Sequence, residues 1–133
     1  MKPEIQFAAH TRRIKIESFM SAELSGNVVH HLYSTFWLAK HIEETARIIL
    51  EPCLEDDEDA LGSYLAIEHR AMTPIGDFVI IDGKVVEVKD NVVVCQLTVN
   101  NSNGLAAFAT QTQIILPKSI IEKKIRNAYS IIN

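Results

Sequence analysis

The chain has 133 residues, enough for one domain over 1–133, and its 47% hydrophobic and 23% charged content is that of a folded globular protein rather than a disordered one. A net charge of −4 with scattered basic residues argues against nucleic acid as the main partner, because phosphate binding is driven by clustered Lys and Arg. Cys53 and Cys95 sit in unlike contexts with no ligand-spaced neighbours, so neither a zinc site nor a disulfide framework is expected, and no apolar stretch reads as a secretory signal or a membrane span. A cytoplasmic protein without metal or membrane association follows as the expectation.

The first 26 residues are weakly patterned, apart from a short alternation at 13–16, and Val28–Tyr33 reads as another strand. The clearest helix starts at Ser34 or Thr35, either of which can cap it, and reaches about Cys53. A rotation of about 100° per residue places Leu38, Ala39, Ile42, Ala46, Ile49, Leu50 and Cys53 on one stripe. Two adjacent acids separate on that geometry. Glu44 points away from the stripe, towards Lys40 and Arg47, whereas Glu43 lies on its edge, partly withdrawn from water.

An acidic connector, Leu54–Asp59, ends the helical period, and four runs of period two follow: Leu61–Ala71, Phe78–Val88, Val92–Val99 and Leu105–Leu116. Short turn-rich links predict that neighbours in sequence pair antiparallel, and Pro117 opens a last helix over Lys118–Ile132. The layout is α+β, a sheet burying a long helix. Alternation along the first run puts Leu61, Ser63, Leu65, Ile67 and His69 on the helix side, with Glu68 and Arg70 opposite.

A hydroxyl at Thr35, a carboxylate at Glu43 and an imidazole at His69 near a helix N-terminus suit hydrolysis of an activated acyl group. Each has a plainer role: Thr35 as N-cap, Glu43 as a boundary acid reaching water, His69 as a hydrogen-bonded core residue. The other histidines offer less. His30 and His31 point to opposite faces of a strand, and His41 falls on the polar flank of the helix. Trp37, off the stripe, reads as a partly covered surface residue or a subunit contact. Ser34, Ser63 and Ser130 lack the G-x-S-x-G context of a serine hydrolase.

The segments YSTFWLAKHIEETA (33–46) and LGSYLAIEHRAMTPIG (61–76) resemble the hotdog-fold thioesterases of the fluoroacetyl-CoA thioesterase-like group. That group shows a Thr and a Glu eight apart in the long helix, a Gly seven residues before a strand His, and a T-P-x-G turn; Thr35, Glu43, Gly62, His69 and Thr73–Gly76 match it over about residues 28–116. The resemblance implies a hotdog fold and an acyl-CoA thioesterase. Glu43 would be general base or nucleophile, His69 a proton relay, and Thr35 a positioning or attacking hydroxyl. Gly62, Phe36 and Gln113 would line the substrate site.

It further implies a homodimer or larger assembly with the acyl site at the interface. Coenzyme A enters only as part of the substrate, and no cofactor is implied. Phe36 stands where the group commonly has Pro, and Gln111 and Gln113 stand where its last strand tends to show His and Arg. The loss of that Arg leaves open a non-catalytic acyl-CoA or small-acyl binding protein. A hydratase on the same fold is disfavoured, because its Asp/His helix motif is absent.

Overall fold

The computed structural model describes residues 1–132. After a 3-10 turn at Pro3–Phe7 come strand β1 (Ala9–Lys15), a hairpin of β2 (Ser21–Leu24) and β3 (Asn27–Tyr33), and helix α1 (Thr35–Leu50). Strands β4 (Glu58–His69), β5 (Phe78–Lys89), β6 (Val92–Asn101) and β7 (Gly104–Pro117) follow, then helix α2 (Lys118–Tyr129). The hairpin β2–β3 was not legible as a pair. Its turn is Ser25-Gly26, both with positive φ (52° and 78°), the backbone a tight hairpin of right-twisted strands requires and glycine tolerates most easily.

The main sheet runs β1-β5-β6-β7-β4, antiparallel throughout, and wraps α1. Leu38, Ile42, Ala46, Ile49 and Leu50 of the helix are buried against Val79, Ile81, Val93, Cys95, Leu97 and Val99 of the sheet. Each of the larger side chains contributes about 1.5–3 kcal/mol by leaving water.

Four expectations are corrected. First, β4 does not pair with its successor β5; it pairs with β7 at the opposite edge. The link 70–77 cannot close a hairpin because it is held elsewhere: Tyr33 N–H donates to Thr73 O (2.9 Å), and Leu32 bridges Pro74. Second, β4 starts at Glu58 inside the expected acidic connector, where Asp59 accepts from Arg47, and ends at His69. Third, α1 stops at Leu50, because Pro52 permits only a 3-10 turn over Glu51–Cys53. Fourth, α2 ends at Tyr129, before a final 3-10 turn, and buries none of its residues.

Candidate functional site

Ser34, not Thr35, caps α1: its Oγ accepts the Trp37 N–H at 3.1 Å and its carbonyl accepts the Leu38 N–H at 2.9 Å. Thr35 is thereby released from the plain capping role. Its Oγ1 lies 2.8 Å from His69 Nδ1. Thr35 and Phe36 are the first two helical residues, so their N–H groups have no intrahelical acceptor and carry the positive end of the helix dipole.

His69 closes β4, and the T-P-x-G loop after it is pinned at several points. Arg70 and Ala71 N–H both donate to Ala106 O, and Asn101 Nδ2 donates to Met72 O (3.1 Å) and Thr73 Oγ1 (3.0 Å). Thr73 is fully buried. The motif thus holds the strand end against the helix start. Burial pushes the His69 imidazole below its ordinary value, partly offset by a hydrogen bond to the Ala71 backbone. A neutral ring with its proton on Nε2 presents Nδ1 as an acceptor for the Thr35 hydroxyl. The pair opens on a cleft of about 230 Å³ lined also by Arg70, Ala71 and Met72.

The helical phase separates the two acids as expected. Glu43 is half-buried; Glu44 is exposed and faces Arg12 at 3.7 Å rather than Lys40 or Arg47. Glu43 Oε2 accepts from Gln111 Nε2 at 3.1 Å, and a Cβ on Gly62 would lie 3.2 Å from the same oxygen and 3.4 Å from that nitrogen. A side chain there would press on the carboxylate, which would have to give by a few tenths of an ångström. Gln111 is 1% exposed, and its Oε1 has no hydrogen-bond partner.

Simple alternation put Leu61 and Ser63 on the His69 face, and here the structure differs. A bulge between Gly62 and Tyr64 adds one residue to β4 opposite β7 and switches the parity. Ala60 and Gly62 point inward before it; Leu65, Ile67 and His69 after it, while Leu61 is 40% exposed. Gly62 and His69, seven apart, would otherwise face opposite sides of the sheet.

One chain therefore brings together Thr35 with His69, and Glu43 with Gly62 and Gln111. The two groups do not share a hydrogen bond, since eight helical residues put about 12 Å of rise between Thr35 and Glu43. Phe36 is largely exposed beside Thr35, whereas Gln113 is buried and donates Nε2 to Ala46 O at 3.0 Å, serving the helix. His41 corrects the expectation of a polar flank. It is buried, stacked on Tyr33 with Nδ1 2.5 Å from the Tyr33 hydroxyl, because the end of β3 covers that side of α1. Trp37 is half-covered. Sequence reasoning missed Ser34 as the sole cap, Asn101 as the loop clamp and Gln111 as the partner of Glu43. Only the polar residues in the inward phase of β7 hinted at the last.

Among the described residues no group of three or more His, Cys, Asp or Glu could hold a metal ion. The profile of the FlK family, described as fluoroacetyl-CoA-specific thioesterase, matches residues 16–119. The chain belongs to this family. The same fold recurs in solved structures. A thioesterase superfamily member from Thermus thermophilus is 27% identical, with a TM-score of 0.92 over 98% of this chain and 96% of its own. A hot-dog-like protein from Thermanaerovibrio acidaminovorans is 18% identical, with a TM-score of 0.87 over 96% and 93%. A variant of the fluoroacetyl-CoA thioesterase FlK in complex with acetyl-CoA is 14% identical, with a TM-score of 0.81 over 92% and 96%. No curated protein matches. The long helix wrapped by an antiparallel sheet is the hotdog fold.

Proposed function

We propose that this FlK-family chain hydrolyses an acyl-CoA thioester to a carboxylic acid and free coenzyme A. The observation that carries the reading is the Thr35 Oγ1–His69 Nδ1 contact of 2.8 Å at the N-terminus of α1. In the proposed course, Oγ1 of Thr35 attacks the thioester carbonyl as its proton passes to His69 Nδ1. The oxyanion that forms is held by the free N–H groups of Thr35 and Phe36. Collapse breaks the C–S bond, and the thiolate leaves with the proton from His69. Water then attacks the Thr35 ester with Glu43 as general base, the acid departs, and the proton returns to the Thr35 oxygen.

Glu43 and the Thr35–His69 pair lie at opposite parts of β4, and β4 is an unpaired sheet edge. Exposed backbone along a 12-residue edge strand, with Leu61 and Tyr64 also uncovered, favours a second copy pairing there. In an antiparallel two-fold pairing centred near Leu65 and Ala66, Gly62 of one copy meets His69 of the other, because 62 + 69 equals 65 + 66. The complete site is then interfacial, with Glu43 from one copy serving Thr35 and His69 from the other.

Among the described residues no helix is long and apolar enough to cross a membrane. A cytoplasmic location is part of the same proposal. The test is thiol release from a panel of acyl-CoA esters by wild type, Thr35→Val and His69→Ala. Release by wild type that falls about 100-fold or more in each folded variant, the usual size of acid–base effects, supports the reading. No release from any ester, with retained acyl-CoA binding, would put the non-catalytic binding protein first. The engagement of Gln113 with the Ala46 carbonyl of the helix, where the group tends to carry an Arg, favours that second reading.

A further inference from the structure

Thr35 is shared by two cavities. The first is the cleft at His69, lined also by Arg70, Ala71 and Met72. The second is larger, about 490 Å³, and lies between the β2–β3 hairpin and the start of α1. Phe19, Leu24, Phe36 and Trp37 line it, together with Thr35 and Glu23. The aromatic walls are mutually packed: Phe19 and Phe36 each meet Trp37 edge-on, at centroid separations of 5.2 and 6.1 Å. Yet Phe19, Leu24 and Phe36 are all more than 60% exposed. An apolar concavity left open beside a reactive hydroxyl is unusual on a folded surface and marks a place where apolar ligand atoms replace water.

We propose that this hairpin cavity is the acyl subsite, and that it takes a neutral apolar acyl group larger than two carbons, such as a hexanoyl chain or a phenyl-bearing group. The inference rests on the thioesterase reading above and specifies its substrate class. A thioester carbonyl at Thr35 directs one substituent into each cavity. The smaller cleft, with the Arg70 side chain in its lining, suits the thiol arm, and the larger, aromatic cavity suits the acyl chain. A two-carbon acyl group fills a small part of 490 Å³ and touches few of the walls. Glu23 in the lining disfavours an acyl group ending in a second carboxylate.

The chain's one tryptophan lines this cavity, so occupancy is readable without turnover. The experiment measures kcat/KM for acetyl-, butyryl-, hexanoyl-, phenylacetyl- and succinyl-CoA, and Trp37 fluorescence with hexanoate and phenylacetate as free probes. From acetyl to hexanoyl, kcat/KM is expected to climb by up to about fourfold per methylene, the value of burying one CH₂. Leu24→Asp, at an exposed hairpin position that the fold does not need, should cut the hexanoyl-to-acetyl ratio by about tenfold or more, a few buried methylenes' worth. A flat or falling series would overturn the subsite while leaving thioester hydrolysis standing. If no ester is hydrolysed, saturable quenching of Trp37 by hexanoate that Leu24→Asp abolishes upholds the subsite and removes only the hydrolytic reading. Absence of quenching there would overturn the subsite as well.

Discussion

Gln111 donates its side-chain amide to Glu43 at 3.1 Å while its own carbonyl oxygen, equally buried, meets no donor. The orientation is forced. Turning the amide over would set its oxygen against the carboxylate and leave two N–H groups stranded, a worse arrangement than one unpartnered acceptor. Gln111 thus fixes one oxygen of Glu43, leaving the other to act. Gln111→Leu should lower kcat for thioester hydrolysis by about tenfold or more, the size of one lost hydrogen bond to a charged group, with KM nearly unchanged. Gln111→Glu, which confronts Glu43 with a like charge, should be worse and also lower Tm. Steady-state kinetics beside thermal melts checks both; an unaltered kcat in Gln111→Leu would remove Gln111 from the site.

Adjacent hydroxyls at the start of α1 have separate tasks. Ser34 supplies the cap and Thr35 the contact with His69. Ser34→Ala should destabilise the fold by about 1 kcal/mol, a drop of a few degrees in Tm, and leave a slower but working enzyme. Thr35→Val should do the reverse, keeping Tm and abolishing most turnover. Equal loss of Tm in both variants would return Thr35 to a structural role.

His41 makes the fold sensitive to mild acid. Burial lowers its imidazole below the free value of 6.5, with Arg12 and Lys40 acting in the same direction and Glu44 opposing them. The unfolded chain therefore binds more protons than the fold in the window from 6.5 down to the lowered value. Stability is fully present above 6.5 and is lost as pH falls through that window. His69 is shifted the same way and adds to the effect. Thermal melts from about pH 7 to pH 5 should show Tm falling in wild type, and the fall should shrink in His41→Gln, by analogy with other buried histidines. An unchanged slope in that variant would assign the acid sensitivity elsewhere.

The sequence disclosed most of what burial depends on and little of what pairing depends on. The α1 stripe, the contrast between Glu43 and Glu44, and the strand periods of β5 to β7 all follow from local periodicity. The parity switch in β4 does not, because a bulge is decided by what faces it: Gly62 must meet Glu43 and His69 must meet Thr35, and a regular strand cannot do both. His41 was misplaced for a related reason. A helical wheel assigns a flank to solvent only until another element covers it, and Tyr33 arrives there from a hairpin whose first strand carried almost no pattern.

The separation of Glu43 from Thr35 and His69 within one chain makes the interfacial site testable by mixing. Light scattering should first give a particle of about twice 14.9 kDa, as a two-fold pair requires. Glu43→Gln and His69→Ala homodimers should each be nearly inactive. If they are unfolded together and refolded in equal amounts, half of the dimers carry one copy of each. In such a dimer one site combines the intact Glu43 of the His69→Ala chain with the intact Thr35 and His69 of the Glu43→Gln chain, and the other site is doubly impaired. Activity should recover to about a quarter of wild type, half of the dimers each with one of two sites restored. Were all three residues to act from the same chain, every site in the mixture would lack one of them and no activity would return. Glu44→Gln mixed with His69→Ala is the control, since Glu44 is exposed and faces Arg12; its activity should reflect the Glu44→Gln chains alone. A mixture of Glu43→Gln and His69→Ala as silent as its parents would place the whole site within one copy.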